Sequence, residues 1–215
     1  MTALQAASRR GHLEVVRLLL EGGANVNAKP GGSGMTALQA ASRRGHLEVV
    51  RLLLGGGANI NAEPSYDDMT ALQAASIGGH LEVAQLLLER GADANAEPSH
   101  WGNAALQEAS RGGHLNIVQL LLERGADVNA KSGIPRSTAR QAALINGHLK
   151  IAQLLLEQEL KPLSYAITDP IIYHQAAGIT NRPQVPSPTP HVHGTHTGYF
   201  RFSLPHAHDT LVEDL

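Results

Sequence analysis

The chain has no cysteine among its 215 residues. Disulfide stapling, thiolate catalysis and cysteine-ligated zinc are therefore excluded, and an intracellular setting is favoured, the cytoplasm ahead of the nucleus. Aromatic residues make up only 3%, so any core must rest on Leu, Val, Ile and Ala. No apolar run approaches the ~20 residues that a membrane-spanning helix needs. The opening MTALQAASRR lacks the apolar stretch of a signal peptide. An excess of charge of one sign is missing too: 17 Lys plus Arg face 19 Asp plus Glu. Polyanion binding usually needs a clear basic excess, so neither nucleic acid nor a membrane is expected as partner.

What is present is repetition. Thr2, Thr36, Thr70 and Thr138 share one slot, with Ala104 in the fifth, each step being 34 residues. Gly-His pairs follow at Gly11-His12, Gly45-His46, Gly79-His80, Gly113-His114 and Gly147-His148, and a leucine triplet such as Leu52-Leu53-Leu54 follows each pair. Five copies at a fixed spacing indicate a solenoid, in which each unit contacts only its neighbours.

One unit shows how the copies fold. Thr36 and Gln39 have the spacing of a capping box, repeated by Thr2/Gln5, Thr70/Gln73 and Thr138/Gln141. The spacing predicts a short, alanine-rich helix over Ala37–Arg44, ended by Gly45 in the left-handed conformation. A second helix is expected from His46 to about Leu54. In the first copy Glu14, Arg17 and Glu21 form one narrow polar stripe on it, the rest being apolar. Gly57 closes this helix, and a polar loop leads to the next copy. A lone unit has nowhere to bury its leucines, so stacking must fold it.

These residues carry a resemblance. T-A-L-Q-A-A-S-x-x-G-H-L-E-V-V-x-L-L-L-x-x-G-A-N-V-N-A resembles the ankyrin repeat, whose usual form is T-P-L-H-x-A-A-x-x-G-H-x-x-V-V-x-L-L-L-x-x-G-A-D-x-N-A. The likeness runs from Thr2 to about Glu159 and is similar to arrays found in large fungal signalling proteins. It implies an all-α solenoid of stacked helix-turn-helix units joined by extended loops. Three positions depart from the family: Ala replaces its Pro, Gln replaces its His (Gln5, Gln39, Gln73, Gln107, Gln141), and the loop is one residue longer than the usual period of about 33. Gln still serves the capping box, and an added loop residue costs little. A tetratricopeptide array shares the period but lacks extended loops, and its Trp and Tyr signatures are absent here.

Five repeats are thus expected over 1–159. Residues 1–20 are identical to 35–54, and the chain is read as part of a longer array or a larger multidomain protein, or else as a monomeric array. In the fourth unit Asn103 is expected to cap in place of the missing Thr. Residues 160–179 are read as a degenerate sixth half-unit, because Gln175-Ala176-Ala177 falls on the repeat register. From 180 to 215, Pro, Ser, Thr, Gly and His dominate without an apolar face, and a disordered tail is expected.

Chemistry finds no foothold in the array. One His per layer cannot share an ion when layers lie ~8–10 Å apart; each is expected to bridge backbone groups at the interhelical turn. Gly55-Gly56-Gly57 ends a helix and is no phosphate loop. Ser8, Ser42, Ser76 and Ser110 lack a paired His–Asp arrangement and read as core. No enzyme, cofactor or metal site is expected. The alternative is a metal-responsive protein working through the tail's His191, His193, His196, His206 and His208 with Asp209.

The resemblance implies a protein partner, bound on a concave strip of loop tips and short-helix ends. Carried over position by position, that strip holds Arg9, Arg10, Arg43, Arg44, Tyr66, Asp67, Asp68, Ile77, His100, Trp101, Asn103, Glu108, Arg111 and Arg136. Tyr66 and Trp101 are loop aromatics that the stack does not need, as hot spots often are. The arginines lie toward the first units and the acids on the third unit's loop, so a partner with a partly acidic segment is expected.

Overall fold

Each Thr-x-x-Gln start nucleates a helix as its spacing predicts. Thr36 Oγ1 accepts from the Gln39 amide at 3.2 Å, and Gln39 Oε1 accepts from the Thr36 amide at 2.7 Å. Two amides left over at a helix start are thereby satisfied. The computed structural model describes residues 1–29, 34–62, 69–97, 103–133 and 136–168, the backbone alone over 162–168. Among them run ten helices: α1 (Ala3–Arg10), α2 (Leu13–Glu21), α3 (Ala37–Arg44), α4 (Leu47–Gly55), α5 (Ala71–Gly78), α6 (Leu81–Glu89), α7 (Ala105–Gly112), α8 (Leu115–Glu123), α9 (Ala139–Ile145) and α10 (Leu149–Thr168). The described residues hold no strand, only an isolated antiparallel bridge between Ser132 and Ser137. All ten helices fall within one compact unit, Met1–Tyr173.

The odd-numbered helices stack in sequence, and the even-numbered ones stack beside them. This is the all-α solenoid of helix pairs that the sequence implied. Small side chains let the short helices approach closely: Ala37, Ala41, Ala71, Ala75, Ala105 and Ala109 are each at most 2% exposed. Between the layers of longer helices, the middle leucine of each triplet from the second unit on (Leu53, Leu87, Leu121, Leu155) is fully buried. Burying each such side chain contributes roughly 1.5–3 kcal/mol. Ser8, Ser42, Ser76 and Ser110 lie in the core at 0% exposure.

The second helix of each unit starts one residue later than expected. His46 has φ −79° and ψ 74°, which is not helical, and it stands as the residue before α4. Its ring does not stay at its own turn. His46 Nε2 lies 3.2 Å from the carbonyl of Arg9, His80 Nε2 3.1 Å from that of Arg43, and His148 Nε2 3.0 Å from that of Arg111. A carbonyl can only accept, so Nε2 donates in each case. The ring thus holds backbone at an interhelical turn, as expected, and the turn is that of the preceding unit, so the bridge ties a unit to the one before it. The ring also explains the preceding glycine. A Cβ on Gly11, which has φ 73°, would meet His46 Nδ1 at 2.6 Å.

A second tie runs along the loops. Asn27 Nδ2 donates to the Gly57 carbonyl at 3.0 Å, and Asn27 Oδ1 accepts from the Asn59 amide at 2.8 Å. Asn61 repeats this with Gly91 and Asp93, and Asn95 with Gly125 and Asp127.

The fourth and fifth units depart from the pattern. Ala104, not Asn103, is the cap residue of α7, and it has no side-chain cap bond. Its amide donates to Gln107 Oε1 at 2.8 Å and to Ser132 Oγ at 3.0 Å. Asn103 fails to cap because its amide group is turned instead to Glu108 Oε1, at 2.7 Å. In the fifth unit Glu159-Leu160 stand where the Gly-Ala falls that follows the other long helices. Without a left-handed glycine α10 continues to Thr168, so the expected boundary at 159 falls inside a helix. Glu159 folds back instead, accepting from Arg140 Nε through both carboxylate oxygens at 3.1 and 2.9 Å. The rest of the expected half-unit and the whole tail lie outside the described residues.

Candidate partner-binding surface

Because the short helices stack in register, residues 34 apart come to lie in columns along their carboxyl ends. One column is Arg9, Arg43, Ile77, Arg111 and Ile145; the next is Arg10, Arg44, Gly78, Gly112 and Asn146. The arginines of both columns are exposed, and Ile77 is half-buried. Arg136 is exposed as well, its guanidinium donating to the Lys131 carbonyl at 3.3 Å.

The ends of the array differ electrostatically. In the fourth unit the side chains satisfy one another: Glu108 Oε2 lies 3.9 Å from Arg111, and the Glu108 side chain is only 12% exposed. Asn103, expected on the open surface, is 7% exposed and packs beneath Gly133. In the first two units, by contrast, Arg9, Arg10, Arg43 and Arg44 take part in no ion pair among the described residues, whereas Arg17 and Arg51, on α2 and α4, each sit 3.6 Å from a glutamate of the same helix, Glu14 and Glu48. A basic area is left on units one and two, without an internal counter-ion. Arg9, Arg10 and Arg44 also border a cavity of about 620 Å³.

Tyr66, Asp67, Asp68, His100 and Trp101 lie outside the described residues, as do the tail histidines. The structure thus stacks the arginines of the first two units in two columns, with Ile77 next after Arg9 and Arg43 in one of them, and places Glu108 and Asn103 among internal partners and Arg136 against the Lys131 carbonyl. Two residues bordering the cavity, His12 and His46, carry no surface role in the sequence reading. Their period marks them as scaffold, and only the stacking shows that their rings sit beside the arginine ends. Among the described residues no group of His, Asp or Glu is arranged to hold a metal ion, and no helix is long and apolar enough to cross a membrane.

Comparison with curated proteins returns no match. A family model described as ankyrin repeats (3 copies) matches residues 1–64 and again 62–132, which are the units whose capping boxes, left-handed glycines and leucine layers are described above. Members of that family are generally protein–protein interaction modules and typically lack enzymatic activity. The chain belongs to the ankyrin-repeat family.

Proposed function

We propose that this chain is a docking module that holds a protein partner along the face formed by its short-helix ends and loops, and that an acidic stretch of that partner seats on the first two units. The observation that carries this reading is the set of four exposed arginines, Arg9, Arg10, Arg43 and Arg44, stacked in two columns with no carboxylate paired to any of them among the described residues. The fold does not require them, since the same slots hold Ile77, Gly78, Gly112, Ile145 and Asn146 in later units. A rigid array presents such a set with little ordering cost on binding, and affinity then follows from fit and electrostatic complementarity. Tyr66 and Trp101, loop aromatics with no repeat counterpart, are the further anchors of this reading.

Replacing the four arginines with glutamine tests the reading. Partner capture from the source lysate is expected to be lost at an unchanged melting temperature, and capture by the unaltered chain is expected to weaken as salt rises. Undiminished capture by the glutamine variant contradicts it.

A further inference from the structure

The short-helix ends also set a spacing. α1, α3 and α5 pack one on the next, and Arg9, Arg43 and Ile77 hold one slot on them, 34 residues apart. Packed helices lie ~8–10 Å apart, so the path from Arg9 to Ile77 covers roughly 16–20 Å in two steps. The backbone beneath is held at that spacing. His46 Nε2 donates to the Arg9 carbonyl at 3.2 Å, and His80 Nε2 to the Arg43 carbonyl at 3.1 Å.

The chemistry changes along this path. Arg9 and Arg43 are exposed and enter no ion pair among the described residues. Ile77 is half-buried, and the slot beside it holds Gly78 where the earlier units carry Arg10 and Arg44. The next cation in the column, Arg111, already has Glu108 at 3.9 Å. The order is therefore cation, cation, apolar, and then a cation with an internal partner. The stack does not impose this order, since α5 keeps its left-handed cap with isoleucine in the slot.

One backbone conformation of a partner segment keeps step with the column. In a β-strand, residues on one face recur at ~6.6 Å and ~13 Å, which straddle the layer spacing. An α-helix returns to the same face after about seven residues, ~10.5 Å, so two steps overshoot at ~21 Å. It is also ~10–12 Å across, whereas the two columns come from adjacent residues whose Cα atoms lie ~3.8 Å apart. Polyproline II has about three residues per turn and rises ~3.1 Å per residue, so residues i, i+3 and i+6 share one face and span ~19 Å. Unfolded chains populate this conformation well, so little order has to be imposed on binding.

We propose that the partner segment docks along this column as an extended, polyproline II-like stretch, with acidic residues at i and i+3 on Arg9 and Arg43 and an aliphatic residue at i+6 on Ile77. The inference rests on the acidic-segment reading above and gives that segment its spacing and its third anchor.

Fluorescence anisotropy with the full chain tests it. The probes are fluorescein-labelled peptide pools of one length, each with two glutamates and a leucine evenly spaced among randomised Ala, Ser, Thr and Gln, in both chain directions. The spacing is two, three or seven residues, and a fourth pool has glutamine for glutamate at spacing three. The three-residue pool is expected to bind at least about fivefold more tightly than the two- and seven-residue pools. A second arm exchanges the specificity. The unaltered chain is expected to prefer leucine over glutamate at the third position, and Ile77→Arg to prefer glutamate, each by about fivefold or more. Three of the five units carry arginine in this slot, so the array accommodates that change, which a melting curve checks. Equal binding at all spacings, tighter binding at two or seven residues, or an unchanged preference in the variant overturns the proposal. The acidic-segment reading still stands if the glutamate pools bind more tightly than the glutamine pool. Binding no tighter than that of the glutamine pool overturns both.

Discussion

Gln73 shows how one side chain replaces another with a different shape. Its Oε1 accepts from the Thr70 amide at 2.8 Å, closing the capping box, and its Nε2 donates to the Ala96 carbonyl at 3.2 Å, tying down the loop that ends the unit. Gln5 does the same with Ala28, and Gln107 with Ala130. An amide has an acceptor and a donor on one carbon, so it can serve both partners at once. The first bond was legible in the sequence because Thr and Gln lie three residues apart. The second was not, because it spans 23 residues and depends on where the loop returns. Gln73 is 2% exposed, and its replacement by alanine leaves buried backbone groups without partners, at about 1–3 kcal/mol. Gln141 is exposed and, among the described residues, makes only the capping pair. Gln141→Ala is therefore expected to cost less than about 1 kcal/mol. Denaturant unfolding of the two variants separates these cases.

At the scale of helices, the local signals were the reliable ones. The short helix predicted over Ala37–Arg44 forms over those residues, since its cap, its glycine stop and its alanine face all lie within the segment. Where a neighbour decides, the sequence reading slipped. The pattern puts His46 inside the second helix, yet its ring is drawn to the preceding unit and its backbone leaves the helical region. Asn103 has the residue type of a cap, yet Glu108, which stands where other units have alanine, takes its amide. The same dependence on neighbours yields a prediction for the turn glycines. Gly11 and Gly147 have φ values of 73° and 76°, so alanine is strained at both, by roughly 1 kcal/mol or somewhat more. Only at Gly11 would the new Cβ also meet the following unit's histidine, while at Gly147 it meets nothing within 4 Å. Gly11→Ala is expected to lower the melting temperature more than Gly147→Ala does; equal losses would show that the His46 ring does not fix this turn.

Across the whole array, stability comes from contacts between copies, and the proposed recognition falls to the edge that those contacts do not use. The fixed period made the stack legible. The asymmetry of the edge was only partly so: the arginines of the first two units stood out, but the internal pairing of Glu108 with Asn103 and Arg111 depends on the fourth unit's packing. The first unit offers a direct test of stacking, because residues 1–20 repeat 35–54 without a difference. Val15 and Val49 thus sit in the same local sequence and helix, yet Val15 is 47% exposed and Val49 is 2% exposed, with the first unit packed against it. Intrinsic helix preference is the same at both, and only the neighbour differs. The decisive measurement is the unfolding free energy of Val15→Ala against Val49→Ala. Stacking predicts a loss of about 1.5–2.5 kcal/mol for Val49→Ala and within about 0.5 kcal/mol for Val15→Ala; equal losses at the two sites would contradict it.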